Sequence, residues 1–198
     1  MKNKLIFRII IYSHLTVVYI VFAKLSFRNE VIYLNNNNND LRDLNINKND
    51  SSDMKTEMDG KYLTFCIDNQ IFGIAISDIV QIVSIQKITP MPRFPSYVKG
   101  VINLRGEIIP VIDVRLRFNK PEVPYNKVTC IIIINIGENQ YGLIVDAVDE
   151  VVKIQDEEIT APPTIADNYE NDYLSGIAKL KEKVVLLLDI TAILHNNN

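Results

Sequence analysis

The stretch Lys99–Phe118, KGVINLRGEIIPVIDVRLRF, reads as a strand, a two-residue turn, a second strand and a short exit. Val101–Leu104 and Ile108–Val114 are rich in β-branched residues, which suit a pleated, half-buried surface. Arg105-Gly106 falls where the hairpin must reverse, and Gly106 supplies the positive φ that primed turns need. Pro110 has no N–H to give a ladder, which predicts an edge strand or a bulge there. Arg105 is thus displayed at a turn tip beside an apolar strand, in a segment without a catalytic group.

This stretch has an echo. In Tyr173–Ile190, YLSGIAKLKEKVVLLLDI, Gly176 follows Gly100 by 76 positions, and Leu180 follows Leu104 and Asp189 follows Asp113 by the same 76. Upstream, Thr64–Val83 (TFCIDNQIFGIAISDIVQIV) resembles Ile132–Val152 (IIINIGENQYGLIVDAVDEVV), with Phe72-Gly73 on Tyr141-Gly142. Ile88-Thr-Pro90 has a counterpart near Ile159-Thr-Ala-Pro162. Glycines, prolines and aspartates matching in one order identify two copies of one all-β unit, each about 65–70 residues long.

Strands are expected near 61–67, 71–76, 81–85, 101–104 and 107–114, and again near 128–136, 140–145, 151–154, 176–180 and 183–188. Ser77–Val80 and Asp146–Glu150 look like single helical turns, and Asp189–His195 predicts a short terminal helix. Leu116–Pro124 links the copies, and its two prolines stiffen it. Short strands close readily into small barrels, which removes exposed edges. The expected fold is therefore all-β: two tandem five-stranded barrels from the internal repeat, with short helical turns. The first repeat spans about 61–118 and the second about 126–194, within a module at 59–195. Ile131–Ile136 and Val184–Leu188 are apolar on consecutive residues, so both faces of those strands are expected to be covered.

The first 58 residues have a different character. Leu5–Phe27 is apolar, broken by Arg8, His14 and Lys24, and Asn35–Asn39 opens a polar run that cannot bury enough surface to fold. We read this extension as a translated leader ahead of Met54 or Met58. A membrane anchor over residues 5–27 and a signal sequence are the alternatives.

Composition narrows the function. The chain has two cysteines and two histidines, His14 and His195, the latter pair confined to the terminal segments. There is no Gly-rich phosphate loop, nucleophile elbow or Cys/His metal spacing, so no enzyme, metal or cofactor is expected. Cys66 and Cys130 lie in predicted strands as small apolar residues, which fits a reducing compartment. Asp78, Asp113, Asp146 and Asp189 recur with the repeat, which predicts capping or turn hydrogen bonds. From Asp59 onward, 13 Lys and Arg stand against 18 Asp and Glu, a net charge of −5, the wrong sign for nucleic acid. Neither nucleic acid nor a small-molecule substrate is expected.

Residues 60–195 resemble CheW, the adaptor family of bacterial chemotaxis. The resemblance is carried by KGVINLRG at 99–106, IPVIDV at 109–114 and Arg117-Phe118. ITPMP at 88–92 and YGLIVD at 141–146 add to it. It implies two five-stranded SH3-like barrels and a cytoplasmic, non-enzymatic scaffold recruited to membrane receptor arrays. One surface would bind the regulatory domain of the histidine kinase CheA. Another would take the helical-hairpin tip of a methyl-accepting chemoreceptor. Carried over residue by residue, the partner-binding positions are Ile79, Val80, Gln81, Ile82, Gly100, Arg105, Cys130, Val148 and Val151. Arg105 is the expected polar anchor. Gln81 stands where many relatives carry glutamate, so an ion pair there is in doubt.

Overall fold

The structure, a computed structural model, describes residues 58–163, 173–180 and 183–194. The chain divides into two units between Asp59 and Gly60. Leu5–Phe27, His14, the asparagine run, Met54 and His195 lie outside the described residues. Among those described, no helix is long and apolar enough to cross a membrane.

The unit from Gly60 is all-β. In chain order it runs β1 (Lys61–Ile67), β2 (Gln70–Ala75), a 3₁₀ turn (Ile76–Asp78), β3 (Ile79–Ser84), β4 (Val98–Leu104), β5 (Glu107–Asp113) and α1 (Val114–Arg117). The second copy gives β6 (Cys130–Ile136), β7 (Asn139–Val145), β8 (Ala147–Lys153), a 3₁₀ turn (Asp156–Glu158), β9 (Ile159–Thr160), β10 (Leu174–Leu180), β11 (Lys183–Leu188) and α2 (Ile190–Leu194). Strand ends fall within a few residues of the sequence expectation. Some elements differ: the 3₁₀ turn Asp156–Glu158 and the short β9 were not expected, the expected helical turn at 146–150 is mostly β8, and the exit Val114–Arg117 is helical. Asp113 causes the last of these, because its carboxylate caps the turn by accepting from the Leu116 N–H at 3.2 Å.

The sheets are not the two copies. One has the strand order β8-β1-β2-β11-β10-β9, the other β3-β6-β7-β5-β4. Each copy keeps three principal strands in one sheet and sends its leading hairpin to the other. The exchange is reciprocal to the residue. Val111 pairs in parallel with Gly142 where β5 meets β7, and Leu187 pairs in parallel with Gly73 where β11 meets β2. Bulges repeat too, just before Gly100 in β4 and just before Gly176 in β10. The expected span of each barrel therefore needs revision, because β1–β2 and β6–β7 change places.

Each sheet wraps its own core. Ile102, Ile109, Val111, Ile131, Ile133 and Ile144 form one cluster, and Val80 and Val83 of β3 pack on it together with Leu104 of β4. The two end strands thus meet a common interior, so the sheet curls. Ile154, Ala178, Val185 and Leu187 form the equivalent cluster in the other sheet. Ile131–Ile134 are all fully buried, as a strand covered on both faces requires. The same expectation fails at Val184, which is 54% exposed.

Pro110 lies in an inner strand, not at an edge. From the two-residue turn the Leu104–Glu107 and Ile102–Ile109 pairs exchange hydrogen bonds, so the Pro110 nitrogen points away from β4. On its other side β7 begins pairing only at Val111, so no donor is missed.

Candidate functional site

The turn at Arg105-Gly106 has φ of +55° and +95°, the two positive values of a type I′ reversal. Asn103 Oδ1 accepts from the Gly106 N–H at 2.9 Å and braces it. The Arg105 side chain stands exposed at the tip. Holding a residue other than glycine in this left-handed region costs about 1 kcal/mol or more, and such positions concentrate at functional sites.

Gly100 lies deeper. Its φ is +136°, and a Cβ there would come within 2.1 Å of the Thr89 carbonyl oxygen. That close approach belongs to the bridge between Thr89 and Val101, which exchange hydrogen bonds at 2.8 and 2.9 Å. Gly100 is buried, so backbone geometry accounts for it.

The other positions gather around β3, β6 and β8. Ile79 pairs with Ile134, Ile82 with Ile132 and Ser84 with Cys130. Val148 pairs with Phe65 and Val151 with Leu63. Ile79 and Val148 are equivalent in the two copies and are 5% and 6% exposed, so both are core residues. Val80, Gln81, Ile82, Cys130 and Val151 are half-buried and reach the surface. The nearby Val148 N–H favours the Cys130 thiolate. Burial nevertheless pushes that thiol up to about 11. Arg105 and Gly100 belong to the β4–β5 hairpin at the opposite end of the strand order. Val80, Gln81, Ile82 and Cys130 thus lie on the paired strands β3 and β6 of one sheet, Val151 on the edge strand β8 of the other, and Arg105 at a hairpin tip.

Sequence reading did not find the polar scaffold behind these positions. Arg115 of α1 is buried and donates to Asp146 from Nε at 3.2 Å and from its terminal nitrogen at 2.6 Å. It also pairs with Asp68 at 3.2 Å, and the Asp68 N–H donates to Asp146 at 2.9 Å. Burial alone would raise the Asp146 carboxyl, but the Arg115 hydrogen bonds and the Asp68 N–H outweigh it and hold the group low. Asp113 and Asp189 cap α1 and α2, as their recurrence predicts. Asp146 serves an ion pair instead.

Arg117 lies between the Tyr97 and Tyr173 rings, 4.5 and 4.6 Å from their centroids, and its Nε donates to the Ile193 carbonyl at 2.8 Å. Tyr97 and Tyr173 are themselves a repeat pair: the Tyr97 carbonyl accepts from the Asp113 N–H and the Tyr173 carbonyl from the Asp189 N–H, both at 2.8 Å. Phe118 extends the stack to Phe72 and Phe65. Among the described residues no group of His, Cys, Asp or Glu is arranged to hold a metal ion.

Comparison with known proteins agrees with this geometry. The CheW-like domain family matches residues 61–198. The chemotaxis protein CheW of Klebsiella aerogenes is 34% identical over 134 residues, covering 68% of this chain and 81% of that protein. CheW of Bacillus subtilis is 32% identical, covering 68% and 86%, and that of Helicobacter pylori is 30% identical, covering 79% and 96%. Among solved structures, the scaffolding protein TtCheW from Thermoanaerobacter tengcongensis superposes with a TM-score of 0.65 at 35% identity, covering 70% of this chain and 89% of that one. The chain belongs to the CheW family of chemotaxis proteins, and its part in signalling is that of a scaffold.

Proposed function

We propose that this chain couples chemoreceptors to the histidine kinase CheA by binding both at once, without catalysis of its own. It acts in the cytoplasm at membrane receptor arrays. The observation that carries this reading is the match of residues 61–198 to the CheW-like domain family. Val80, Ile82 and Cys130 on β3 and β6, half-buried and apolar like Val151 on β8, suit the apolar face of a helical hairpin, with Gln81 as a polar neighbour. Arg105 offers a guanidinium at a rigid tip, able to grip a carboxylate on a partner in two-pronged fashion. Ile79, Val148 and Gly100 support these contacts from the interior.

The test exploits the strain at the tip. Asparagine tolerates the left-handed region better than arginine, so Arg105→Asn should leave the fold intact or stabilise it by up to about 1 kcal/mol. Affinity for the receptor signalling domain or the kinase regulatory domain should fall by about 1–3 kcal/mol, as for a contact hot spot. Calorimetric titration of the full chain into each purified partner reads both. Unchanged affinity for both partners would return Arg105 to an ordinary turn residue. Failure of the wild-type chain to bind either would overturn the adaptor reading itself.

A further inference from the structure

A cavity of about 240 Å³ opens where the start of α1 and the linker face the beginnings of β6 and β8. Two of its walls are apolar and open to solvent, Val123 and Val128, the latter 52% exposed. Asp113, Asp146 and Arg115 also line it. Arg115 is the sole cation of the lining, and its donors are committed to Asp146 and Asp68.

That leaves Asp113. It is 4% exposed, and its oxygens accept only from neutral donors, the Leu116 N–H at 3.2 Å and the Tyr125 hydroxyl at 2.9 Å. Among the described residues no cation pairs with it. Buried carboxylates normally gain a counter-cation, because hydrogen bonds from neutral groups replace only part of their lost hydration. Two carboxylates, Asp113 and Asp146, stand against one guanidinium in the lining, and Asp68 outside it draws on the same guanidinium, which leaves the cavity negative. Its mouth is framed by the methyl groups of two exposed valines.

A hydrocarbon stem ending in a cation matches both features. The stem would lie along Val123 and Val128, and the head would reach Asp113, whose oxygens each retain acceptor capacity. An anionic group would be repelled, and an aliphatic one would leave Asp113 without a counter-charge. The cavity residue Thr129 directly precedes the half-buried Cys130 in the chain, so the cavity lies beside one of the apolar residues offered to the partner. We propose that the cavity receives a lysine or arginine side chain of the chemoreceptor's helical hairpin as that hairpin docks on those apolar residues. This rests on the adaptor reading for the identity of the partner.

The test uses the full chain and the purified cytoplasmic signalling domain of a chemoreceptor from the same genome. Asp113→Asn keeps an acceptor for the Leu116 N–H and removes the charge. Val128→Lys places a cation at the mouth on an already exposed residue, so it decides the matter even where Asp113→Asn fails to fold. Both variants should weaken receptor binding by about tenfold or more while binding to the kinase regulatory domain stays within twofold. Alanine scanning of the receptor's lysines and arginines should find one residue whose effect disappears in the Asp113→Asn background. Receptor affinity of Val128→Lys within twofold of wild type, or a loss confined to kinase binding, would overturn the proposal. In either case intact wild-type binding to receptor and kinase would leave the adaptor reading standing, whereas wild-type binding to neither would refute that reading first.

Discussion

Replacing Gly142 with alanine puts a methyl group where the parallel register of β5 and β7 leaves no space. A Cβ built there lies 2.7 Å from Ile131 Cγ2 and 2.7 Å from Val111 Cγ1. Both are β-branch methyl groups of fully buried residues, so neither swings aside by a terminal rotamer change. Overpacking of this kind costs about 1–3 kcal/mol, offset by the roughly 0.4–1 kcal/mol that Gly→Ala gains by stiffening the unfolded chain. The net loss should be about 1–2 kcal/mol, or a fall in Tm of about 3–8 °C for a unit of this size. The repeat supplies an internal control at Gly73. There the same atom would lie 3.0 Å from Val185 Cγ1 and 3.1 Å from Leu187 Cδ2, the latter the movable end of a leucine. Gly73→Ala should therefore cost well under the Gly142 value. Trimming Val111 to alanine in the Gly142→Ala background should recover part of the loss, since the new methyl fills the space vacated. Chemical denaturation with unchanged m-values is the assay. Equal effects at Gly73 and Gly142, or strict additivity of Gly142→Ala with Val111→Ala, would refute the exchanged register from which the contacts follow.

Arg117→Lys keeps the charge but loses the planar stack between Tyr97 and Tyr173, and should cost about 2 kcal/mol with faster hydrogen exchange at the α2 amides. Unaltered α2 exchange would show that the Ile193 carbonyl contact does not tie the helix down. The Asp146 carboxyl is held below its unfolded value, so its contribution is fully present above that value and is lost as pH falls through the folded one. Stability should accordingly drop below about pH 4, and Arg115→Gln should flatten that part of the profile when denaturation midpoints are compared across pH. Both thiols are raised, Cys66 by burial and then by Asp149 and Asp146, and Cys130 to about 11 by burial. Iodoacetamide at pH 7.5 should therefore label the native chain far more slowly than the unfolded one, with Cys130 the slower site, as read by mass spectrometry. Rapid labelling of Cys130 would contradict its burial.

The strands were legible because β-branched runs, broken by Asp68-Asn69 and Gly137-Glu138, leave few other local conformations open. The Arg105-Gly106 turn was equally plain. Partnership was not legible. A hairpin's sequence states its own register, but the parallel seam Val111–Gly142 and its counterpart within one copy would use near-identical residues, so the repeat that reveals two units conceals their exchange. α1 was missed because four residues opening with a β-branched valine carry no helical period, although Asp113 three residues before Leu116 is a capping pattern. Arg115 meets Asp146 across 31 positions, which no spacing rule encodes. At the site, Arg105 was readable from its turn. Ile79 and Val148 were drawn to the surface by family analogy, although their equivalence in the two copies already pointed to the core.

The reciprocal pairing amounts to a domain-swapped dimer carried on one chain. Neither copy can complete its ladders alone: residues 60–118 would leave β2 without β11, and β5 without β7. Neither half should therefore be a folding unit, and the decisive contacts should form late, after the linker has brought distant hairpins together. The linker's contribution is effective concentration rather than contact. Cutting it near Pro121 should leave two fragments that associate with each other and fold only together. A single copy expressed by itself would leave those ladder positions open.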